Sequence, residues 1–248
     1  MELVLVHLFP DLLNLYGDRG NRIVLQERAR RRGIRVVVRE VRLQDDLPCE
    51  GDLFLLGGGE DRQQALVARE LARCGDRLAS AVAEGAVVLG VCGGYQLLGH
   101  AYRTADGREL SGLGLLDVFT EHPGHRAPRL VGNVVATATL AGLGTLVGFE
   151  NHGGRTHLGP HALPLARVQV GFGNNGQDGT EGAWCGTVFG TYLHGPVLPK
   201  NPRFADHLLA LALRRRYGQV QLQPLDDRWE LAAQAAAVVR AGSRRRPL

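Results

Sequence analysis

The chain has 248 residues, 44% of them hydrophobic and 22% charged, which suits a folded globular protein with one substantial core. No apolar run approaches the roughly 20 residues that cross a bilayer, and Met1-Glu2-Leu3-Val4 opens no secretory leader. An integral membrane protein is therefore not expected, and a cytoplasmic one is. Cys49, Cys74, Cys92 and Cys185 form no CxxC pair, which argues against a disulfide framework or a zinc knuckle. The net charge of +4 is carried almost wholly by arginine, Lys200 being the single lysine. The clusters at Arg28 to Arg32, Arg214 to Arg216 and Arg244 to Arg246 have no interleaved aromatics, so they read as solvated helix faces and a tail rather than a nucleic-acid footprint.

Residues 3–8 read as a first buried strand. A loop from Pro10 to Asn21 follows, then a helix from Ile23 to Arg32 stopped by Gly33. Ile34 to Val41 is β-branched and strand-like, and Leu53 to Leu56 is a short strand ending on Gly57-Gly58-Gly59. Two helices are expected over 62–73 and 76–84. This alternation predicts an α/β fold, a mostly parallel central sheet flanked by helices on both faces, with reactive groups at the carboxyl ends of the strands.

Residues 86–99 carry the strongest signal. The apolar run Ala86 to Leu89 leads through Gly90-Val91-Cys92-Gly93-Gly94 into a helix-compatible stretch. That is the layout of a nucleophile elbow, in which glycines two before and two after the reactive residue relieve crowding at a strained turn. Cys92 is the expected nucleophile, since a thiolate at a helix start is favoured over the thiol. The N–H of Gly93 is one expected oxyanion donor, and the glycine loop at Gly58 supplies the other. Gly57 to Gly59 have neither the Lys-Ser/Thr of a P-loop nor the spacing of a dinucleotide site.

Beyond the elbow the chain turns rich in Gly, Val, Leu and Thr, with strand-like pieces at 115–120, 131–139 and 168–172. His122 and His125 share a loop, but no third ligand at fitting spacing accompanies them, and no metal is expected. A cysteine nucleophile needs a base. Of the nine histidines, His152 and His194 sit at strand ends followed by glycine. His194 is the better base, because His152 lies in a longer polar loop suited to substrate contact. A triad adds a carboxylate to orient the imidazole, yet nothing acidic follows His194 until Asp206. The stretch from Asp227 to Arg240 is helix-like and packs on the sheet or on a partner. The chain is read as one domain over 1–242 with a disordered tail at 243–248.

Gly90-Val-Cys92-Gly-Gly-Tyr-Gln96 together with Gly190-Thr-Tyr-Leu-His194-Gly resembles the class I (triad-type) glutamine amidotransferases, in their cobyric-acid-synthase-like branch. Within it, Tyr16-Gly-Asp-Arg-Gly-Asn21, Phe149-Glu-Asn-His-Gly-Gly-Arg-Thr156, Gly171-Phe-Gly-Asn-Asn175 and Thr191 to Pro196 look most like the GatD-type glutaminase subunits of lipid II isoglutaminyl synthases. The resemblance implies the flavodoxin-like class I fold, with Cys92 attacking the glutamine side-chain amide and His194 moving the proton. Gln96 would line the glutamine site, with Asn151 and His152 also binding substrate. The family's glutamine-binding arginine matches Arg129, with Arg126 as competitor. Most class I relatives have glutamate two residues after the histidine, where this chain has Pro196.

The resemblance further implies a heterodimer with a MurT-type, Mur-ligase-like synthetase that supplies the missing carboxylate. No cofactor is expected in this chain. The chain begins at the glutaminase strand and has no P-loop, so ATP and Mg are expected on the partner. Lipid II, reached through that partner, would be amidated on its stem-peptide glutamate. Two alternatives stay open: a peptidase-like cysteine hydrolase on the same fold, and an amidotransferase subunit for another acceptor, such as a cobyrinate-like carboxylate.

Overall fold

A computed structural model describes residues 1–48 and 50–243. Cys49 and the tail from 244 onward lie outside the described residues. In chain order the first half contains β1 (Glu2–Leu8), α1 (Arg19–Arg30), β2 (Arg35–Val41), β3 (Leu53–Leu56), α2 (Asp61–Ala83), β4 (Val87–Val91) and α3 (Gly93–Leu98). The second half adds β5 (Ala101–Arg103), β6 (Glu109–Ser111), β7 (Val118–Glu121), β8 (Leu130–Ala138), β9 (Thr145–His152), β10 (Arg155–Leu158), β11 (Ala166–Val170), β12 (Thr180–Glu181), β13 (Ala183–Cys185), β14 (Val188–Thr191), α4 (Pro202–Tyr217) and α5 (Arg228–Ser243).

The central sheet has the order β13-β14-β4-β3-β1-β2. All its pairings are parallel except that of β13 with β14. Every residue of β3, β4 and β14 is buried, as expected of strands covered on both faces. Two further four-stranded sheets, β10-β7-β5-β6 and β12-β11-β8-β9, are built from the Gly- and Val-rich second half.

The two helices expected at 62–73 and 76–84 are one. Helix α2 runs without a break because its buried residues Val67, Leu71, Cys74, Leu78 and Ala81 recur at helical spacing across the joint. Gly75 lies inside that stripe, where a Cβ would stand 2.6 Å from Leu113. Close packing there outweighs the cost of about 1 kcal/mol for glycine in a helix.

Helix α1 begins at Arg19, four residues before the expected start, and so takes in Gly20 and Asn21. A Cβ on Gly20 would meet Pro196 at 2.4 Å, so glycine there permits close approach rather than a turn. The stretch expected as a helix near Asp227 to Arg240 is α5, reaching Ser243, which was expected to open the tail.

The arginine clusters are only partly solvated faces. Arg30 and Arg31 do pair with Glu27 on the surface. Arg28 and Arg32 are buried and both grip Asp206, and Arg28 also holds Asp227 at 2.6 Å. They clamp α1 to α4 and to the approach to α5. Arg216 and Arg215 similarly face the buried carboxylate of Asp52, at 2.8 and 3.6 Å.

Candidate active site

Four neighbouring parallel strands deliver the site. In sheet order β1, β3, β4 and β14 point their carboxyl ends the same way, and they lead to Asp18, Gly57 to Gly59, Cys92 and His194. Cys92 follows β4 directly, with φ 50 and ψ −105, a left-handed conformation that a side-chain-bearing residue rarely adopts. The turn is held from both sides: Cys92 N–H donates to Thr191 O on β14 at 2.8 Å, and Gly94 N–H donates to Gly57 O at 3.0 Å. The elbow glycines are required by space. A Cβ on Gly90 would lie 2.6 Å from Leu98, and one on Gly94 would lie 2.6 Å from the Leu56 carbonyl oxygen.

Helix α3 is only six residues long. Its dipole is accordingly a modest aid to a thiolate, and the closer electrostatic partner is His194. The imidazole is fully buried. Burial alone would lower its pKa, but the charge of Cys92 and the carboxylate of Asp18 more than reverse this and raise it to about 10. Among the described residues neither ring nitrogen has a hydrogen bond at rest. Such bonds often tighten only when substrate binds.

Asp18 is the carboxylate that comes to within 4 Å of His194 among the described residues. Its Oδ1 lies 3.6 Å from His194 Nδ1, and its Oδ2 accepts the N–H of Gly58 at 2.6 Å. Both side chains are buried. The Gly58 N–H is therefore held by Asp18 in this geometry, and Gly59 is the loop glycine that lines the adjoining cavity. Gln64 braces that loop by donating to Gly59 O at 2.9 Å.

The cavity, about 480 Å³, is lined by Cys92, Gln96, Arg129, Asn151 and His152 together with Tyr16, Glu60, Asp61, Tyr102 and His122. Arg129 is fixed in its wall by donating through Nε to Asn151 Oδ1 and through Nη2 to Asn151 O, both at 2.8 Å. The competitor Arg126 is exposed and does not line the cavity. Gln96 donates to Tyr192 Oη at 3.1 Å and keeps its buried Oε1 free of hydrogen bonds among the described residues.

His152 is not on an open loop. It ends β9, buried and stacked on Tyr192 with ring centroids 3.6 Å apart. Burial pushes its pKa down, the ring donates from Nδ1 to Gly154 O at 2.8 Å, and Nε2 faces the buried carboxylate of Glu150 at 3.6 Å. Glu181 holds the strand end from behind, its Oε1 accepting from Thr191 Oγ1 and from Tyr192 N–H. Burial lifts its carboxyl to about 7, against the lowering effect of the Thr191 hydroxyl.

A strained buried cysteine at a strand-to-helix turn and a buried imidazole with a carboxylate near it can perform acyl transfer from an amide. Comparison with known proteins gives the lineage. Residues 4–202 match the CobB/CobQ-like glutamine amidotransferase domain. The chain belongs to that family.

Within the CobB/CobQ-like amidotransferases, it is 42% identical over 247 residues to the lipid II isoglutaminyl synthase (glutamine-hydrolyzing) subunit GatD of Staphylococcus aureus strain N315, covering 99% of this chain and 98% of that protein. The corresponding subunit of Streptococcus pneumoniae is 37% identical, over 91% of this chain and 86% of its own length. A probable cobyric acid synthase of Methanothermobacter thermautotrophicus is 39% identical, but the match spans 56% of this chain and 29% of that protein. A solved glutamine amidotransferase structure superposes with a TM-score of 0.57 at 22% identity, covering 84% of this chain and 98% of the other, a likeness of fold.

Sequence reasoning missed Asp18, Tyr192 and Glu181. Asp18 lies in Tyr16-Gly-Asp-Arg-Gly-Asn21, a stretch that carries the family resemblance. Its glycines suggest a loop, and Gly17 does take a positive φ of 78, whereas Gly20 allows close approach to Pro196 after His194.

Proposed function

We propose that the chain is the glutaminase subunit of a lipid II isoglutaminyl synthase. The observation that carries this reading is a cavity lined by Cys92 and Arg129, with the buried imidazole of His194 close by against Asp18, in a chain that one GatD relative matches over nearly its whole length. The guanidinium of Arg129 suits the α-carboxylate of glutamine, a planar anion that it can meet with two parallel N–H donors. The far end of the substrate then reaches Cys92, with Gln96 and His152 lining the way.

The Cys92 thiolate attacks Cδ of glutamine, and the tetrahedral oxyanion is met by the N–H of Gly93 and of the glycine loop at Gly59, next to Gly58. The His194 imidazolium passes its proton to the amide nitrogen, which departs as ammonia and leaves a γ-glutamyl thioester. Water attacks the thioester with His194 as base, releasing glutamate and restoring the thiol.

The chain works in the cytoplasm as one amidotransferase domain of a heterodimer. Its partner is a Mur-ligase-like synthetase that binds ATP and Mg and receives the ammonia. There the ammonia amidates the stem-peptide glutamate of lipid II. No cofactor enters the chemistry of this chain. The test combines the chain with the synthetase subunit of the same source, ATP, Mg, lipid II and glutamine labelled with nitrogen-15 in its side-chain amide. Label in the stem-peptide amide is expected. Glutamine hydrolysis with no label in lipid II would overturn the choice of acceptor.

A further inference from the structure

We propose that Gln64 is the positioning residue of the oxyanion hole, its amide holding the glycine loop at Gly59 in place against Gly93 beside the Cys92 thiol. The proposal rests on the glutaminase reading and deepens it. Gln64 closes the first turn of α2, where its backbone N–H donates to Glu60 O at 2.9 Å, so its side chain starts from a 23-residue helix rather than from a loop. From there Nε2 donates to Gly59 O at 2.9 Å. The same amide lies on the bare α-carbon of Gly93, where a Cβ would stand 2.8 Å from Nε2 and 2.9 Å from Cδ. One buried side chain on the wall of the catalytic cavity thus touches both residues assigned to the oxyanion.

The other two glycines of the loop are anchored without Gln64. Gly57 O accepts the N–H of Gly94 at 3.0 Å, and Gly58 N–H donates to Asp18 Oδ2 at 2.6 Å. Gly59 is the one that leans on the helix through a side chain. The orientation of that side chain follows from its partner, since a carbonyl oxygen only accepts and the amide nitrogen must therefore face Gly59. Gln64 Oε1 is then buried without a hydrogen bond among the described residues, so it is the donor end of the amide that is in use. Oxyanion donors act by being held in place before the charge develops. A tie that fixes Gly59 against Gly93 accordingly lowers the barrier to attack without tightening the hold on bound glutamine.

The test compares wild type, Gln64→Met and Gln64→Ala, each assembled with the synthetase subunit, in steady-state glutaminase assays beside thermal melts. Methionine fills the space against Gly93 but cannot donate to Gly59 O, whereas alanine removes both contacts. In both variants kcat is expected to fall roughly ten- to a hundredfold, less than the loss of a whole oxyanion donor, while KM stays within about twofold. Packing alone would leave Gln64→Met at the wild-type rate, and that result overturns the proposal. A larger change in KM than in kcat would make Gln64 a contact to ground-state glutamine and overturns it as well. Wild type that hydrolyses no glutamine defeats the glutaminase reading itself. Should neither variant fold, the crystal structure of the wild-type complex labelled with a glutamine-mimicking diazoketone decides. The adduct oxygen should lie within about 3.2 Å of the Gly59 or Gly93 nitrogen, with Gln64 still on Gly59 O. An adduct oxygen out of reach of both, or a Gln64 amide that has left Gly59, contradicts the proposal.

Discussion

Pro196 rests on Gly20, and this contact sets the depth at which α1 approaches the segment carrying His194. A methyl group at position 20 must push that segment away. Gly20→Ala is expected to destabilise the fold by about 1–3 kcal/mol and to slow diazoketone modification of Cys92 beyond what unfolding explains. Denaturant melts beside modification rates check this. A destabilised variant that is modified at the wild-type rate would separate the contact from the site.

Arg129 and Arg126 are close in sequence but differ in placement. Arg129→Ala should reduce kcat/KM for glutamine about a hundredfold, the scale of losing charge-assisted hydrogen bonds to a carboxylate. Arg126→Ala should leave it unchanged, because Arg126 does not line the cavity. Steady-state glutaminase assays of the assembled enzyme distinguish the two.

The pKa of His194, about 10, depends on the Cys92 thiolate as well as on Asp18, both acting against burial. Removing the thiol in Cys92→Ala should therefore lower the pKa, which a histidine NMR titration reads directly. In wild type the imidazolium should persist through the neutral range and be lost only as the pH approaches 10.

Glu181 titrates near 7 in the fold against an ordinary value of 4.5. Between those limits the folded chain keeps a proton that the unfolded chain has released, so this carboxyl makes stability fall as pH rises, by roughly 3 kcal/mol at most. Glu181→Gln retains an acceptor oxygen for Thr191 and Tyr192 and should flatten that part of the profile. His152, whose pKa is lowered by burial, acts in the opposite sense by favouring the fold above its unfolded pKa. The comparison should accordingly be made between wild type and variant at each pH.

Arg28 holds two carboxylates from within a buried site. Arg28→Ala should cost about 3–5 kcal/mol, because it strips a counter-charge from Asp206 and Asp227. Thermal unfolding measures this, and a loss below 1 kcal/mol would place the pairs among ordinary surface contacts.

The elbow was legible in the sequence because its signal is local: an apolar strand, spaced glycines and a short helix fall within residues 86–99. The parallel sheet was legible for a similar reason, through alternating apolar runs of strand and helix length. Asp18 was not, because its relation to His194 exists only once β1 and β14 have taken their places in the sheet. The break expected near Gly75 and the late start expected for α1 share a cause. In both places a glycine that locally weakens a helix serves contacts with Leu113 and Pro196 made far away in sequence. The buried arginines of α1 were likewise hidden, since only the arrival of α4 converts a basic stripe into a clamp on Asp206.

The central claim is that Cys92 is a glutamine-directed nucleophile, and intact-mass labelling with the glutamine-mimicking diazoketone tests it most directly. A single adduct on wild type, blocked by glutamine and absent from Cys92→Ala, is the predicted result. A chain left unmodified even with its synthetase partner present, or modified equally in Cys92→Ala, would contradict it.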